Sequence, residues 1–237
     1  MQFIVSSEIS NKEFLLDEEE SFHLKKVLRL KIGDEVKVFD GKNKWVCEII
    51  EFKNDKVFLR PIIKIQSAVK KIKLNLYFPF IEKKHFEYVL KTATEIGVDS
   101  FTPIISEYTQ KHFVFDIESK KERLEEIIKS AVKQSERDSF PEIKNPINFK
   151  DIFEKNIKIM VMSKTEINGK LFKLTEALEN FKDEINVLIG PEGGFSESEL
   201  SYMKENFYPV KISDNVLRSE TAAIGGVCAI IGVIGEK

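Results

Sequence analysis

A chain of 237 residues, 42% hydrophobic and 32% charged, has room for one large or two modest domains with a real core and is too apolar to be disordered. Its longest apolar run, residues 222–234, is too short and too glycine-rich to span a bilayer, and no secretion-type leader opens the chain, so the expectation is a cytoplasmic protein with no membrane segment. The formal net charge of −2 conceals an asymmetry: residues 21–73 carry fourteen Lys or Arg against six Asp or Glu, while residues from 74 onward carry 22 against 27. Such a basic block is either the footprint of a polyanion or a solvated lysine face.

In chain order, "FIVS" (3–6) reads as a strand, and "EEESFHLKKVLRL" (18–30) as a helix that stops before Gly33. "DEVKVFDGKNKWVCEIIEF" (34–52) alternates around Asp40-Gly41, a hairpin-type turn, and "KVFLRPIIKI" (56–65) follows Asn54-Asp55. Short strands with one helix predict a compact barrel. Cys47 and Cys228 lie far apart, belong to no metal-spaced pair and read as two buried thiols. The polar join "SAVKKIK" (67–73) puts a boundary near residue 72, dividing the chain into 1–72 and 73–237.

Beyond the join, strand and helix alternate. "LNLYFPF" (74–80) is a buried strand. Phe86, Val89, Leu90 and Ala93 recur at helical spacing up to Gly97, "SFTPIIS" (100–106) is a strand, and Leu124, Ile127, Ile128 and Ala131 mark a further helix. "IKIMVMS" (157–163), "INVLIG" (185–190) and "YPVKIS" (208–213) are three more strands. The fold class is α/β with a mainly parallel sheet, in which ligands bind beyond the carboxyl ends of strands.

Two loops at such ends stand out. In "LIGPEGGFSESEL" (188–200), Ser196 and Glu199 are spaced as a capping box, and Phe195 and Leu200 as a hydrophobic staple. Pro191, Gly193 and Gly194 make the intervening turn rigid and bare. It is either a turn that needs glycines for its geometry or a seat where a ligand touches backbone. In "SDNVLRSETAA" (213–223), Ser219 or Thr221 can cap the last helix and Glu220 suits its first turn. Arg218 faces the positive end of the helix dipole, so it needs an anion: Glu220, Glu192, a substrate phosphate, or a base acquiring negative charge. The last helix, 222–234, is apolar all round and should be buried on every side, in the core or against a second subunit. P-loop, dinucleotide and nucleophile-elbow motifs are absent from the sequence, and His23, His85 and His112 are isolated, with His85 expected on a solvated helix face. No metal site is expected.

"LIGPEGGFSESEL" followed by "VLRSETAA" resembles the ribosomal RNA small subunit methyltransferase E family, which makes N3-methyluridine in 16S rRNA and belongs to the SPOUT class of S-adenosylmethionine-dependent enzymes. "FHLKKVLRLKIGDEVKVFDG" (22–41), "KTATEIGVDSFTPIISE" (91–107) and "SAVKQSERDSFPEI" (130–143) match further family signatures in the same order. The chain departs from the family at Ile212, Ser213 and Asp214, and at Tyr108, Thr109 and Gln110. The resemblance implies an amino-terminal PUA-like barrel that grips RNA, a SPOUT-type trefoil-knotted α/β domain, and a homodimer acting on 16S rRNA or the small ribosomal subunit. Carried over, Leu188, Gly190, Pro191, Gly193 and Gly194 form one cofactor wall and Ile212, Val216 and Leu217 another, with Ser163 at the end of "IMVMS" beside them.

Uridine N3 is a poor nucleophile until it loses its proton, so the site needs a base or an anion stabiliser. Glu220 is the expected base and Arg218 the group that meets charge on the uracil oxygens. A helix-dipole role for Glu220 and a competing role for Glu192 stay open. Lys25, Lys26 and Arg29, with Arg137, are expected to hold rRNA phosphates. Two other activities remain open: methylation of another nucleoside or a 2′-hydroxyl, and a non-catalytic role as an RNA-binding assembly factor.

Overall fold

A computed structural model of the protein describes residues 2–5, 13–66, 72–154, 157–203 and 206–235. The chain divides into two compact units, Met1–Val69 with Val132–Phe140, and Lys70–Ala131 with Pro141–Lys237. The proposed join at 67–73 lies largely outside the described residues.

The first unit holds β1 (Gln2–Val5), β2 (Phe14–Leu15), α1 (Glu18–Phe22), β3 (Glu35–Phe39), β4 (Lys44–Lys53) and β5 (Lys56–Ile65). They form one five-stranded sheet in the order β1-β3-β4-β5-β2, with β1 parallel to β3 and the other pairs antiparallel. Alternation places Val36, Val38, Cys47, Ile49, Val57 and Leu59 on one face, packed with Ile4, Phe14, Leu16 and Leu24. Between β3 and β4, Asp40 accepts hydrogen bonds from Lys42 N, Asn43 N and Trp45 Nε1 at 2.8, 2.6 and 3.0 Å. Burial pushes its pKa up, but the bonds from Trp45 and from Asn43 and Lys42 outweigh it and hold the carboxyl below its ordinary value. Asn54 and Asp55 both take positive φ, 51° and 58°, as a two-residue hairpin turn requires.

The helix expected over 18–30 ends sooner. Asp17 caps α1 by accepting from Glu20 N at 2.8 Å, and a π-helical turn, His23–Val27, follows. Arg29 then takes φ 55° and stops it, while Leu30 N donates back to Leu24 O at 3.1 Å. That is the closing bond usually found with glycine in the left-handed position. Leu24 is fully buried and Leu28 and Leu30 pack on the same core, which fixes this turn. A late segment completes the unit: Lys133 Nζ bonds both Glu20 oxygens at 2.8 Å, Lys37 Nζ reaches Glu136 Oε2 at 2.6 Å, and the Phe39 and Phe140 rings lie 5.4 Å apart.

The second unit holds β6 (Lys73–Pro79), α2 (Lys83–Ile96), β7 (Ser100–Ile105), α3 (Lys121–Ser135, whose last turn belongs to the first unit), β8 (Glu142–Ile143), β9 (Ile147–Asn148) and α4 (Phe149–Glu154). There follow β10 (Ile159–Met162), α5 (Leu174–Leu178), β11 (Glu184–Leu188), α6 (Glu197–Tyr202), β12 (Phe207–Val210) and α7 (Ser219–Gly235). The sheet runs β12-β10-β11-β6-β7-β8, with β9 also on β7, and every pairing is parallel. Buried polar groups lock its centre: Ser100 Oγ donates to Asn75 Oδ1 at 2.7 Å, and Asn75 Nδ2 to Asn186 Oδ1 at 2.9 Å. Gly97 ends α2 at φ 126°.

Two expectations about α7 change. The helix packs on α2, β6 and β10 through Ala223, Gly226, Val227 and Ile230, yet Thr221, Gly225, Cys228 and Gly232 are exposed in the single chain, so burial within the core alone is corrected and cover by a second subunit is left open. Cys228 is therefore an exposed thiol, while Cys47 is fully buried and its pKa is pushed up to about 12 by that burial. Composition alone could not tell a fully buried helix from one with a strip of small residues left uncovered. Among the described residues, no helix is long and apolar enough to cross a membrane.

Candidate active site

The two marked loops leave β11 and β12, which lie on either side of β10, with their carboxyl ends on the same side because all three strands are parallel. In the first loop the anticipated cap is present. Ser196 Oγ accepts from Glu199 N at 3.1 Å, and Glu199 Oε2 accepts from Ser196 N at 2.9 Å. Phe195 and Leu200 pack on the core formed by Tyr77, Leu188 and Phe149. Glu199 also does what the sequence did not reveal. Only 1% exposed, it uses Oε1 to accept from Glu107 N at 2.9 Å, tying the turn after β7 to this loop. Ser198 Oγ adds a bond to the Glu107 carboxylate, and with Ser196 it holds that carboxyl below its ordinary range.

Between strand and cap, Gly194 N closes a turn on Pro191 O at 2.8 Å, with Gly194 at φ 72°. A Cβ on Gly193 would lie 3.0 Å from Tyr108 Cβ, and one on Gly190 3.1 Å from the Phe195 ring. Both glycines thus allow a closer approach than most side chains would, apart from any ligand.

The second loop is fastened at its start by Ser163 N donating to Val210 O at 3.0 Å and by a Lys211–Asp214 ion pair, whose lysine holds the Asp214 carboxyl below its ordinary value. Its end corrects the expected cap. The Ser219 hydroxyl turns away from its own helix and donates to Gly190 O at 2.8 Å, so the first residue of α7 is bonded to the glycine loop. Met162, at the end of β10, comes so close to α7 that a Cβ on Gly226 would meet its side chain at 3.0 Å.

Arg218 and Glu220 stand at this junction. Glu220 is 8% exposed, whereas the Arg218 side chain is 77% exposed, with Nη1 4.0 Å from Glu220 Oε1. Of its two foreseen partners the arginine is thus beside Glu220, and Glu192 is exposed on the glycine loop. His85, expected on a solvated face, instead places Nδ1 3.5 Å from Glu220 Oε1. Its isolation in the sequence hid this, because the pairing is made by the packing of α2 on α7.

The other expected cofactor residues divide. Leu188 and Pro191 are buried; Gly193 is exposed, Ile212 and Leu217 are half-buried, and Val216 is 83% exposed. The Ser163 hydroxyl donates to Thr165 O at 2.7 Å. The expected RNA contacts lie in the first unit. Lys25, Lys26 and Arg29 are exposed on the π-helical turn and its end, Lys25 lying 3.6 Å from Asp55, and Arg137 bonds Ser139 Oγ at 3.2 Å. Among the described residues, no group of three or more His, Cys, Asp or Glu could hold a metal ion.

Residues 68–231 match the model of an RNA methyltransferase domain, and residues 16–62 that of an RNA methyltransferase PUA domain. Ribosomal RNA small subunit methyltransferase E of Buchnera aphidicola subsp. Schizaphis graminum is 30% identical over 93% of this chain and 90% of its own length. The chain belongs to the ribosomal RNA small subunit methyltransferase E family. A family member from Rickettsia conorii is 27% identical over 88% of this chain and 84% of its own. The crystal structure of the Neisseria gonorrhoeae family member, which was bound to S-adenosyl methionine, shares the fold: its TM-score is 0.81 over 98% of both chains at 23% identity. The family's PUA and methyltransferase parts correspond to the sheet of the first unit and the parallel sheet of the second.

Proposed function

We propose that this chain transfers a methyl group from S-adenosylmethionine to N3 of a uridine in 16S rRNA of the small ribosomal subunit, in the cytoplasm and as a homodimer whose cofactor loops are threaded as a trefoil knot. The observation that carries this reading is the Ser219–Gly190 bond, which draws the glycine loop and the Arg218–Glu220 pair into one site.

The residues present fit such a cofactor. The Gly193 backbone is open, Gly194 takes a left-handed bend that side-chain-bearing residues adopt only at a cost, and Ile212, Val216 and Leu217 offer apolar side chains with surface left for an adenosyl group to cover. In this reading Leu188, Gly190 and Pro191 form the other wall, and Ser163 follows β10 beside them. When bound, S-adenosylmethionine supplies an electrophilic sulfonium methyl. The chain itself orients the uracil and manages its proton. Glu220, buried at the amino end of α7, takes the N3 proton on its carboxylate. Arg218, with most of its side chain in solvent, is free to meet charge spreading onto the uracil oxygens. Lys25, Lys26 and Arg29 hold phosphates of the same RNA, with Arg137 in support.

Titration calorimetry with S-adenosylmethionine, followed by transfer of labelled methyl to 16S rRNA, tests the reading. Saturable binding and label in the RNA are expected. No binding leaves an RNA-binding assembly factor, and label on a 2′-hydroxyl leaves a different methyltransferase.

A further inference from the structure

The methyl-transfer reading gives Glu220 a proton in every turnover, and a carboxylate buried against α2 must then lose it. Two ionisable groups lead away from it in order of rising exposure. The Glu220 side chain is 10% exposed, that of His85 29% and that of Glu82 50%. His85 Nδ1 is 3.5 Å from Glu220 Oε1, and His85 Nε2 is 3.6 Å from Glu82 Oε2. The imidazole thus sits between the two carboxylates, one nitrogen toward each. The geometry is fixed on both sides: His85 lies in the first turn of α2, where its N–H bonds Glu82 O at 2.9 Å, and α2 packs on α7, which carries Glu220. The other charges here are Arg218, 4.0 Å from Glu220, and Lys84, 3.0 Å from Glu82. An arginine keeps its protons at any working pH, so of the two groups beside Glu220 only the imidazole can take one and give one up.

We propose that His85 is a positioning residue of the methyl-transfer site: it orients the Glu220 carboxylate and carries the proton received there out to Glu82 and solvent. The inference rests on the reading of Glu220 as the base. In the step it serves, the uridine N3–H bond breaks and the proton goes to Glu220. The electron pair left on N3 forms the N3–CH3 bond as the S–CH3 bond breaks, and the pair from that bond stays on sulfur, leaving neutral S-adenosylhomocysteine. Glu220 then passes its proton to Nδ1 of His85 while Nε2 releases its own toward Glu82 or water, restoring the carboxylate; before the next turnover the imidazole regains its starting tautomer by taking a proton from water at Nε2 and releasing the one at Nδ1 to water. Each gap closes to hydrogen-bond length with a movement of roughly half an ångström.

The test uses the full chain. His85→Ala is expected to lower kcat by about 10- to 100-fold, at or below the lower end of a general acid–base contribution because water can still take the proton from Glu220, with the KM for RNA and the Kd for S-adenosylmethionine within about twofold. Free imidazole should restore turnover in proportion to its concentration. In the resting protein, Glu220→Gln should move the ring NMR signals of His85 and leave those of His23 and His112 in place. Wild-type turnover in His85→Ala overturns the proposal, as does a loss that imidazole cannot restore or a His85 signal indifferent to Glu220→Gln. If Glu220→Gln is inactive while His85→Ala is normal, only this inference falls. If Glu220→Gln turns over normally while the wild type still methylates uridine, the base assignment falls and the inference with it.

Discussion

Glu199 braces the glycine loop of the candidate site, and replacing it with glutamine isolates what it does. Its carboxylate accepts from two backbone amides, Ser196 N and Glu107 N, each at 2.9 Å, while only 1% exposed. Glutamine fills the same space but offers one carbonyl oxygen and one NH2. One amide keeps its acceptor, and the other faces a second donor. A buried N–H without a partner costs about 1–3 kcal/mol, and the surviving bond loses the strengthening that a charged acceptor gives. The variant should therefore lose about 2–3 kcal/mol. Removing only the cap hydroxyl, by Ser196→Ala, should cost about 1 kcal/mol. At roughly 2–4 °C per kcal/mol for a domain of this size, Glu199→Gln should lower the unfolding midpoint by roughly 4–12 °C, measured by circular dichroism or calorimetry. Affinity for S-adenosylmethionine should weaken several-fold, because the glycine loop loses its tie to the turn after β7. A smaller effect from Glu199→Gln than from Ser196→Ala would refute the bridging role.

Further outcomes follow from other contacts. Arg218→Ala, with its side chain mostly in solvent, should change stability by less than about 0.5 kcal/mol and leave cofactor affinity unchanged, yet lower kcat by about 100-fold; full turnover would refute its role. Gly193→Ala should weaken cofactor binding through the 3.0 Å contact with Tyr108 Cβ, and Tyr108→Gly in the same chain, which removes that Cβ, should relieve it, which a double-mutant cycle on cofactor Kd reads directly. Arg29→Gly suits the φ of 55° and should leave stability unchanged or raise it by up to about 1 kcal/mol, while reducing RNA affinity and flattening its salt dependence. In the folded chain Cys47 should resist thiol reagents, and Cys228 should react in a monomer but be shielded if α7 forms the dimer contact, so counting labelled thiols under native conditions at low and high protein concentration tests the dimer.

Much of the α/β unit was legible in the sequence because its signals are local. Buried strands such as that around Leu76, the helix marked by Phe86, Val89, Leu90 and Ala93, and the Ser196–Glu199 cap are each written in a few adjacent residues. What escaped depends on contacts between distant segments. Nothing in the periodicity of α3 shows that Lys133 will meet Glu20, or that residues 132–140 complete the first unit. Ser219 reads as a helix cap, and only the placement of the β11 loop shows why its hydroxyl turns to Gly190 instead. His85 has no neighbour in sequence to suggest a role, and gains one from helix packing. The early end of the first helix was hidden for another reason: Arg29 occupies a conformation that sequence rules reserve for glycine or asparagine.

The most direct test of the proposed chemistry is nucleoside mass mapping of 16S rRNA incubated with the protein and S-adenosylmethionine. The account predicts one new methyl group, on N3 of a uridine, lost when Arg218 is replaced by alanine. A methyl group on a ribose hydroxyl or on another base, or none despite saturating cofactor, would contradict it.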